Sequence, residues 1–231
     1  MDIEDPQEDN ERESEYKKQL SNKIMLWRRP DMIRNIVFDM GQVIIRFEPH
    51  TFLDRYEIGR DDRKLLENEV FHSVEWVMLD HGVITEDDAT DRICKRVPDH
   101  LHDIVNDLVH HWYEPLLPVD GMEDLIRALK KAGYRIWLLS NAACNQPKYW
   151  AKVPVSDCFD GTLISYEVKM MKPDPEIYRC FTERFGLNPD ECLFIDDNCM
   201  NVEAAVQCGW NGIVFHGDIK ELIRKTAELG I

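Results

Sequence analysis

Ile36-Val37-Phe38-Asp39-Met40-Gly41-Gln42-Val43-Ile44-Ile45 is the stretch that decides the reading of this chain. Ile36-Val37-Phe38 has the composition of a buried strand, and Asp39 stands where the chain turns out of the sheet. Open α/β sheets bind their ligands at that carboxyl edge. Three later segments are expected to end strands in the same way: Leu138-Leu139-Ser140-Asn141, Met171-Lys172-Pro173 and Phe194-Ile195-Asp196-Asp197. Together the four bring a carboxylate nucleophile, a hydroxyl with an amide, a cation, and an acidic pair able to hold a metal. That set suits phosphoryl transfer.

Strands alternate with helices on both sides of these segments. Strand patterns fall at about 34–39, 135–139, 159–165, 192–195 and 212–215. Helical patterns fall at about 121–131, 144–152, 174–185, 201–208 and 218–228. Asp120 is expected to cap the first of these helices and Gly133 to stop it. Asp174-Pro175 opens another as an N-cap followed by proline at the first helical position. Such alternation predicts an α/β fold, a mostly parallel Rossmann-like sheet with helices on both faces. Between about 50 and 117 the spacing is helical, with a break at Gly82 and a capping-box start at Thr85-Glu86-Asp87-Asp88. The expected organisation is an acidic N-terminal extension (1–32), a core (33–48 and 118–231) and a small α-helical bundle (49–117). Ile24 to Trp27 could dock a short helix on the body.

A chain of 231 residues suffices for one core and a small accessory unit. Its net charge of −16 argues against nucleic acid or an anionic membrane as partner. Residues 1–15 carry −7 of it, leaving −9 for the rest. An anionic substrate must therefore rely on local cations. No run approaches the roughly 18 apolar residues of a membrane span, and no secretory signal is visible, so a cytoplasmic location is expected. The seven cysteines form no CxxC pair, which disfavours a zinc site or a disulfide framework. Cys144 and Cys199 could lie near the site.

Each segment has its own chemistry. An aspartate can attack phosphorus and divide hydrolysis into two easier displacements. Ser140 and Asn141 can bind phosphate oxygens, aided by the following helix N-terminus. Lys172, held extended by Pro173, can neutralise charge on the nucleophile and the transferring group. Asp196 and Asp197 would repel without a cation, and hard oxygen ligands at that density suit Mg²⁺.

The order nucleophile, hydroxyl, lysine, acidic pair resembles the haloacid dehalogenase-like (HAD) hydrolase superfamily over about residues 33–230. The resemblance implies that Asp39 is the nucleophile and a metal ligand, and that the Gly41 carbonyl ligates the same Mg²⁺. It implies that Ser140 and Asn141 hold the phosphoryl group, that Lys172 stabilises the aspartyl-phosphate, and that Asp196 or Asp197 completes the metal site. The helical insertion matches the subfamily whose cap lies between the first two motifs. The implied reaction is Mg²⁺-dependent hydrolysis of a small phosphorylated metabolite.

One position departs from that pattern. Most phosphatases of this family carry a second aspartate two residues after the nucleophile, as proton donor and base; here Gly41 stands there. Loss of a general acid–base costs typically 10²–10⁴-fold. The segment from Phe38 to Ile44 resembles the branch containing a bacterial α-D-glucose-1-phosphate phosphatase, which also has glycine there, so a hexose 1-phosphate is an expected substrate. Two rivals remain open. A metal-independent 2-haloacid dehalogenase would attack carbon with Asp39; those enzymes usually have an aromatic residue at the position of Gly41 and serines at those of Asp196 and Asp197. A catalytically weak regulatory protein would bind a phosphometabolite without turnover. In the insertion, Glu75, Trp76, His110, His111 and Trp112 are candidates for substrate contact, with Arg46 and Glu48 in the linker leading to it.

Overall fold

The computed structural model describes residues 33–231. The expected acidic extension and its docking helix lie outside the described residues. Five parallel strands form one sheet in the order β3-β2-β1-β4-β5. They are β1 (Asn35–Phe38), β2 (Arg135–Ser140), β3 (Gly161–Ile164), β4 (Cys192–Asp196) and β5 (Asn211–Val214). β1 is central, with Phe38 in register with Leu138 on one side and Ile195 on the other. The chain leaves β1 in both directions along the sheet, so the crevice at a topological switch point opens beside Asp39.

Alternate side chains of each strand enter opposite apolar layers. Ile36, Phe38, Ile136, Leu138, Leu193 and Ile195 pack in one. Val37, Trp137, Leu139, Leu163 and Phe194 pack in the other, against Tyr178, Phe181 and Trp210. Burial on both faces explains why these strands read as unbroken apolar runs.

Between β1 and β2 the chain forms α1 (Pro49–Leu53), α2 (Arg60–Leu66), a π-helical turn (Glu67–Phe71), α3 (Val74–Asp80), α4 (Glu86–Cys94), α5 (His102–His111) and α6 (Met122–Lys131). Thr85 accepts from Asp88 N and the Asp88 carboxylate accepts from Thr85 N, the reciprocal cap expected there. The segments leading into and out of the insertion run side by side through an isolated antiparallel bridge between Ile45 and Pro118: Arg46 N donates to Leu117 O and Val119 N to Ile44 O. Phe47, Phe52, Phe71, Trp76 and Trp112 join in one aromatic cluster at its base.

After β2 come α7 (Gln146–Trp150), β3, α8 (Ser165–Val168), α9 (Pro175–Phe185), β4, α10 (Cys199–Gln207), β5 and α11 (Ile219–Glu228). Asp174 caps α9 by accepting from Glu176 N, with Pro175 at the first position, as expected.

Two expectations need correction. Met171-Lys172-Pro173 does not end a strand: β3 stops at Ile164, and α8 and a left-handed Lys169 intervene before Lys172. The isolated Met-Lys-Pro triplet followed a short helix that its length hid from sequence periodicity. Asp120 does not cap α6. Gly121 holds that position in the left-handed region, and the Asp120 carboxylate instead accepts from Arg46 at 2.6 Å.

Candidate active site

Asp39 follows β1 directly, and its backbone N–H donates to Ile195 O at 2.9 Å, which fixes it beside the end of β4. Lys172 reaches both neighbouring carboxylates. Its ammonium lies 2.8 Å from Asp39 Oδ1 and 2.7 Å from Asp196 Oδ2, with the lysine side chain only 1% exposed. The loop that carries Lys172 is held by Asn141, whose Nδ2 donates to Lys172 O and whose Oδ1 accepts from Lys172 N, both at 2.9 Å. Both groups of the Asn141 amide are thereby engaged with backbone. Ser140 is buried beneath it, with one long hydroxyl bond of 3.5 Å to Asn141 O.

The acidic pair divides its labour. Asp196 is fully buried and its oxygens already accept from Lys172, Asn198 N and Asn201 Nδ2. Asp197 opens into the cavity. One ligand oxygen from each of Asp39, Asp196 and Asp197 lies within 4.8 Å of the others. Against these three carboxylates stands one ammonium. This electron-rich oxygen set, with the cavity-facing Asp39 and Asp197 beside the Gly41 backbone, fits a hard divalent cation.

Electrostatics follow from the burial. Burial pushes the Asp39 carboxyl up to about 7 against the pull of Lys172, with the charge of Asp196 adding to the rise. Asp197 rises to about 6 through burial and the charge of Asp196. Burial opposes the Lys172 charge, but Asp196 and Asp39 outweigh it and hold the ammonium above its ordinary range.

A cavity of about 400 Å³ opens over this floor. Asp39, Gly41, Asn141, Asp197, Asn198 and Asn201 line its base. Phe47, Trp76, Leu79, Val109, Trp112 and Tyr149 form its walls. Among the described residues that line it there is no Lys, Arg or His.

Of the residues suggested in the insertion, Trp76 and Trp112 do line the cavity. Glu75 faces away and pairs with Arg96 at 2.7 Å. His110 and His111 turn to Asp87 and Asp107, Arg46 to Asp120, and Glu48 accepts from Thr51. None of these five lines the cavity. Cys144 is exposed against Glu86, and burial and that carboxylate raise its thiol to about 11, so it is a poor nucleophile. Cys199 begins α10 and does not line the cavity.

Sequence reasoning missed Asp80 and Asn145. Asp80 ends α3 and lines the cavity. It sits four residues after Trp76, hence on the same helix face, and that spacing was the available signal. Burial and the charge of Asp39 raise it to about 7. Asn145 is buried, with its Oδ1 lacking a hydrogen-bond partner among the described residues.

The haloacid dehalogenase-like hydrolase family model matches residues 33–209. The chain belongs to this family. Its curated relatives include flavin mononucleotide hydrolase 1 of Arabidopsis thaliana, 26% identical over 85% of this chain and 77% of that protein. They also include an (S)-2-haloacid dehalogenase of Pseudomonas putida, 26% identical over 85% of this chain and 95% of that one. A HAD family enzyme of Bacteroides thetaiotaomicron, solved in complex with magnesium and inorganic phosphate, superposes with a TM-score of 0.64. It is 28% identical and covers 83% of this chain and 100% of its own. The five-stranded parallel sheet of this HAD hydrolase is thus the family's Rossmann-like core.

Proposed function

We propose that this HAD hydrolase is a Mg²⁺-dependent phosphatase of a small phosphate monoester, working through an aspartyl-phosphate on Asp39. The observation that carries the reading is the charge balance of the floor: three carboxylates within 4.8 Å and one buried ammonium. Such a set needs a further cation before it can accept a dianionic phosphoryl group.

Asp39, Asp197 and the Gly41 carbonyl would hold the ion. When bound, Mg²⁺ offsets charge on the nucleophile and the phosphoryl oxygens. Asp39 Oδ attacks phosphorus. Lys172, fixed by Asp39 and Asp196, stabilises the developing negative charge. Asp196 is a positioning residue: its oxygens orient Lys172 and Asn201. Asn141 holds the loop that presents Lys172, and Ser140 lies beside the phosphoryl site. The helices of 49–117 act as the cap over a core of 33–48 and 118–231, exclude water and choose the leaving group.

Two features weigh against the dehalogenase reading. The acidic triad suits a metal that such a reaction does not use, and among the described residues no Lys, Arg or His lines the cavity to meet a haloacid carboxylate. The substrate proposal is narrower. The cavity admits one compact monoester without a second anionic group. Hexose 1-phosphates are one candidate class; the apolar walls around Trp76 and Trp112 favour leaving groups with a flat or apolar face.

Initial rates over a panel of hexose 1-phosphates, polyol phosphates, aryl phosphates and 2-haloacids, with Mg²⁺ or with chelator, test the reading. We expect phosphate release that chelator abolishes and that Asp39→Asn lowers by at least about 10³-fold. Halide release from 2-haloacids in chelator, or wild-type rates in Asp39→Asn, would overturn it.

A further inference from the structure

We infer that Asp80 donates the proton to the departing oxygen and then receives one from the attacking water, taking the place of the side chain absent at Gly41. This rests on the phosphatase reading above.

Asp80, half-buried at the end of α3, stands apart from the buried acids of the described residues. Asp196 is bonded on both oxygens, Asp39 faces Lys172, and Glu75 is paired with Arg96. The Asp80 carboxyl has no hydrogen-bond or ion-pair partner among the described residues, yet it lies in the wall of the cavity whose floor carries Asp39. A carboxyl left without a protein partner at a cavity wall is free to bond a ligand oxygen there. Burial and the Asp39 charge do favour the protonated form, to about 7, which leaves both forms available near neutrality.

Its position is held by the core. Ser165 Oγ, at the start of α8, donates to Asp80 O, and the Ser165 hydroxyl itself accepts from Ala142 N at 3.0 Å. His81 Nε2 lies 2.9 Å from Lys169 O. The end of α3 is thus tied to the loops after β2 and β3, the same edge that supplies Asn141 and Lys172. Asp80 and Asp39 line the same cavity from different elements, α3 and the end of β1, and the leaving group of a phosphate attacked by Asp39 departs in line away from the Asp39 oxygen.

The balance closes with the groups present. Asp39 Oδ forms the new O–P bond while the ester P–O bond breaks, and the electron pair left on the leaving oxygen takes the Asp80 proton. In the second half a water oxygen attacks phosphorus, its proton passes to the Asp80 carboxylate, and the Asp39 O–P bond breaks to release phosphate.

Gly41 supplies an internal control. A Cβ built there meets no heavy atom within 4 Å, and its backbone is outside the left-handed region, so a side chain can start there without backbone strain. The test compares a simple alkyl phosphate, a poor leaving group, with p-nitrophenyl phosphate, whose phenolate departs without a proton. Asp80→Asn should lose about 10²–10⁴-fold in kcat/KM on the alkyl ester and at least tenfold less on the nitrophenyl ester. The double variant Gly41→Asp/Asp80→Asn should regain at least tenfold on the alkyl ester alone. Equal losses on both esters, or an unchanged alkyl rate, would overturn the role of Asp80 while leaving the phosphatase standing. Absence of Mg²⁺-dependent release from either ester by the wild-type protein would end both.

Discussion

Lys172 shows at the scale of one residue how structure and chemistry share the same contacts. Its ammonium is the one cation placed between two buried carboxylates, so removing it leaves charge that solvent cannot reach. Lys172→Met should cost about 3–5 kcal/mol, the usual penalty for breaking a buried pair. The sign of its pH dependence follows. Burial already raises the Asp39 carboxyl to about 7 against the pull of Lys172; without the ammonium it rises further, so the folded variant keeps a bound proton, and goes on losing stability with rising pH, above about 7 where the wild type has stopped doing so. The gap between wild type and variant, read from urea midpoints in chelator, should therefore be wider at pH 8 than at pH 5. A gap independent of pH would mean that the loss is one of packing. Asp39 and Asp197 were legible in the sequence because each follows an apolar run at a strand end. Asp80 was not, because its relevance depends on the end of a helix meeting a sheet edge that sequence spacing does not relate to it. The partition between Asp196 and Asp197 was equally hidden, since it is made by Asn201 and Lys172 from other elements.

Among elements, the contact between α3 and α8 sets where the cavity wall stands. Gly82, just past α3, has φ +68 and packs so closely that a Cβ would meet Tyr166 O at 2.6 Å and Tyr166 Cα at 2.9 Å. Backbone atoms cannot step aside as a flexible side chain can. Gly82→Ala should push the end of α3 off the core, carrying Asp80 and Trp76 with it. A displacement on the order of 1 Å can cost about 10²-fold in rate, so kcat/KM should fall by about that factor. The metal affinity should stay within about twofold, because Asp39, Gly41 and Asp197 all sit on the sheet edge. Mg²⁺ titration alongside steady-state kinetics separates the two, and a parallel loss of metal binding would refute this division. Glycine at position 82 was readable as a break, but not as a close approach. The strands were read well because burial on both faces writes their apolar runs plainly. The Lys172 loop was misread because α8 is four residues long, too short for helical periodicity to register.

For the whole molecule the governing quantity is charge. The chain carries −16, and among the described residues the cavity lining has three acids, Asp39, Asp80 and Asp197, and no Lys, Arg or His. On the proposed phosphatase reading a dianionic ester approaches against this field, and Lys172, with its 1% exposure, would act only once the phosphate has arrived. Repulsion between separated charges is screened over a Debye length of about 10 Å at 0.1 M salt and about 30 Å at 0.01 M. Raising KCl from about 10 to about 200 mM at constant free Mg²⁺ should therefore increase kcat/KM severalfold, while kcat, set after the substrate is bound, changes less. A neutral competitive ligand should show no such trend, which separates screening from a general salt effect on folding. If kcat/KM instead falls with salt, the ion held by Asp39 and Asp197 reverses the sign of the potential at the cavity mouth, and substrate capture is driven by the metal rather than opposed by the acidic surface.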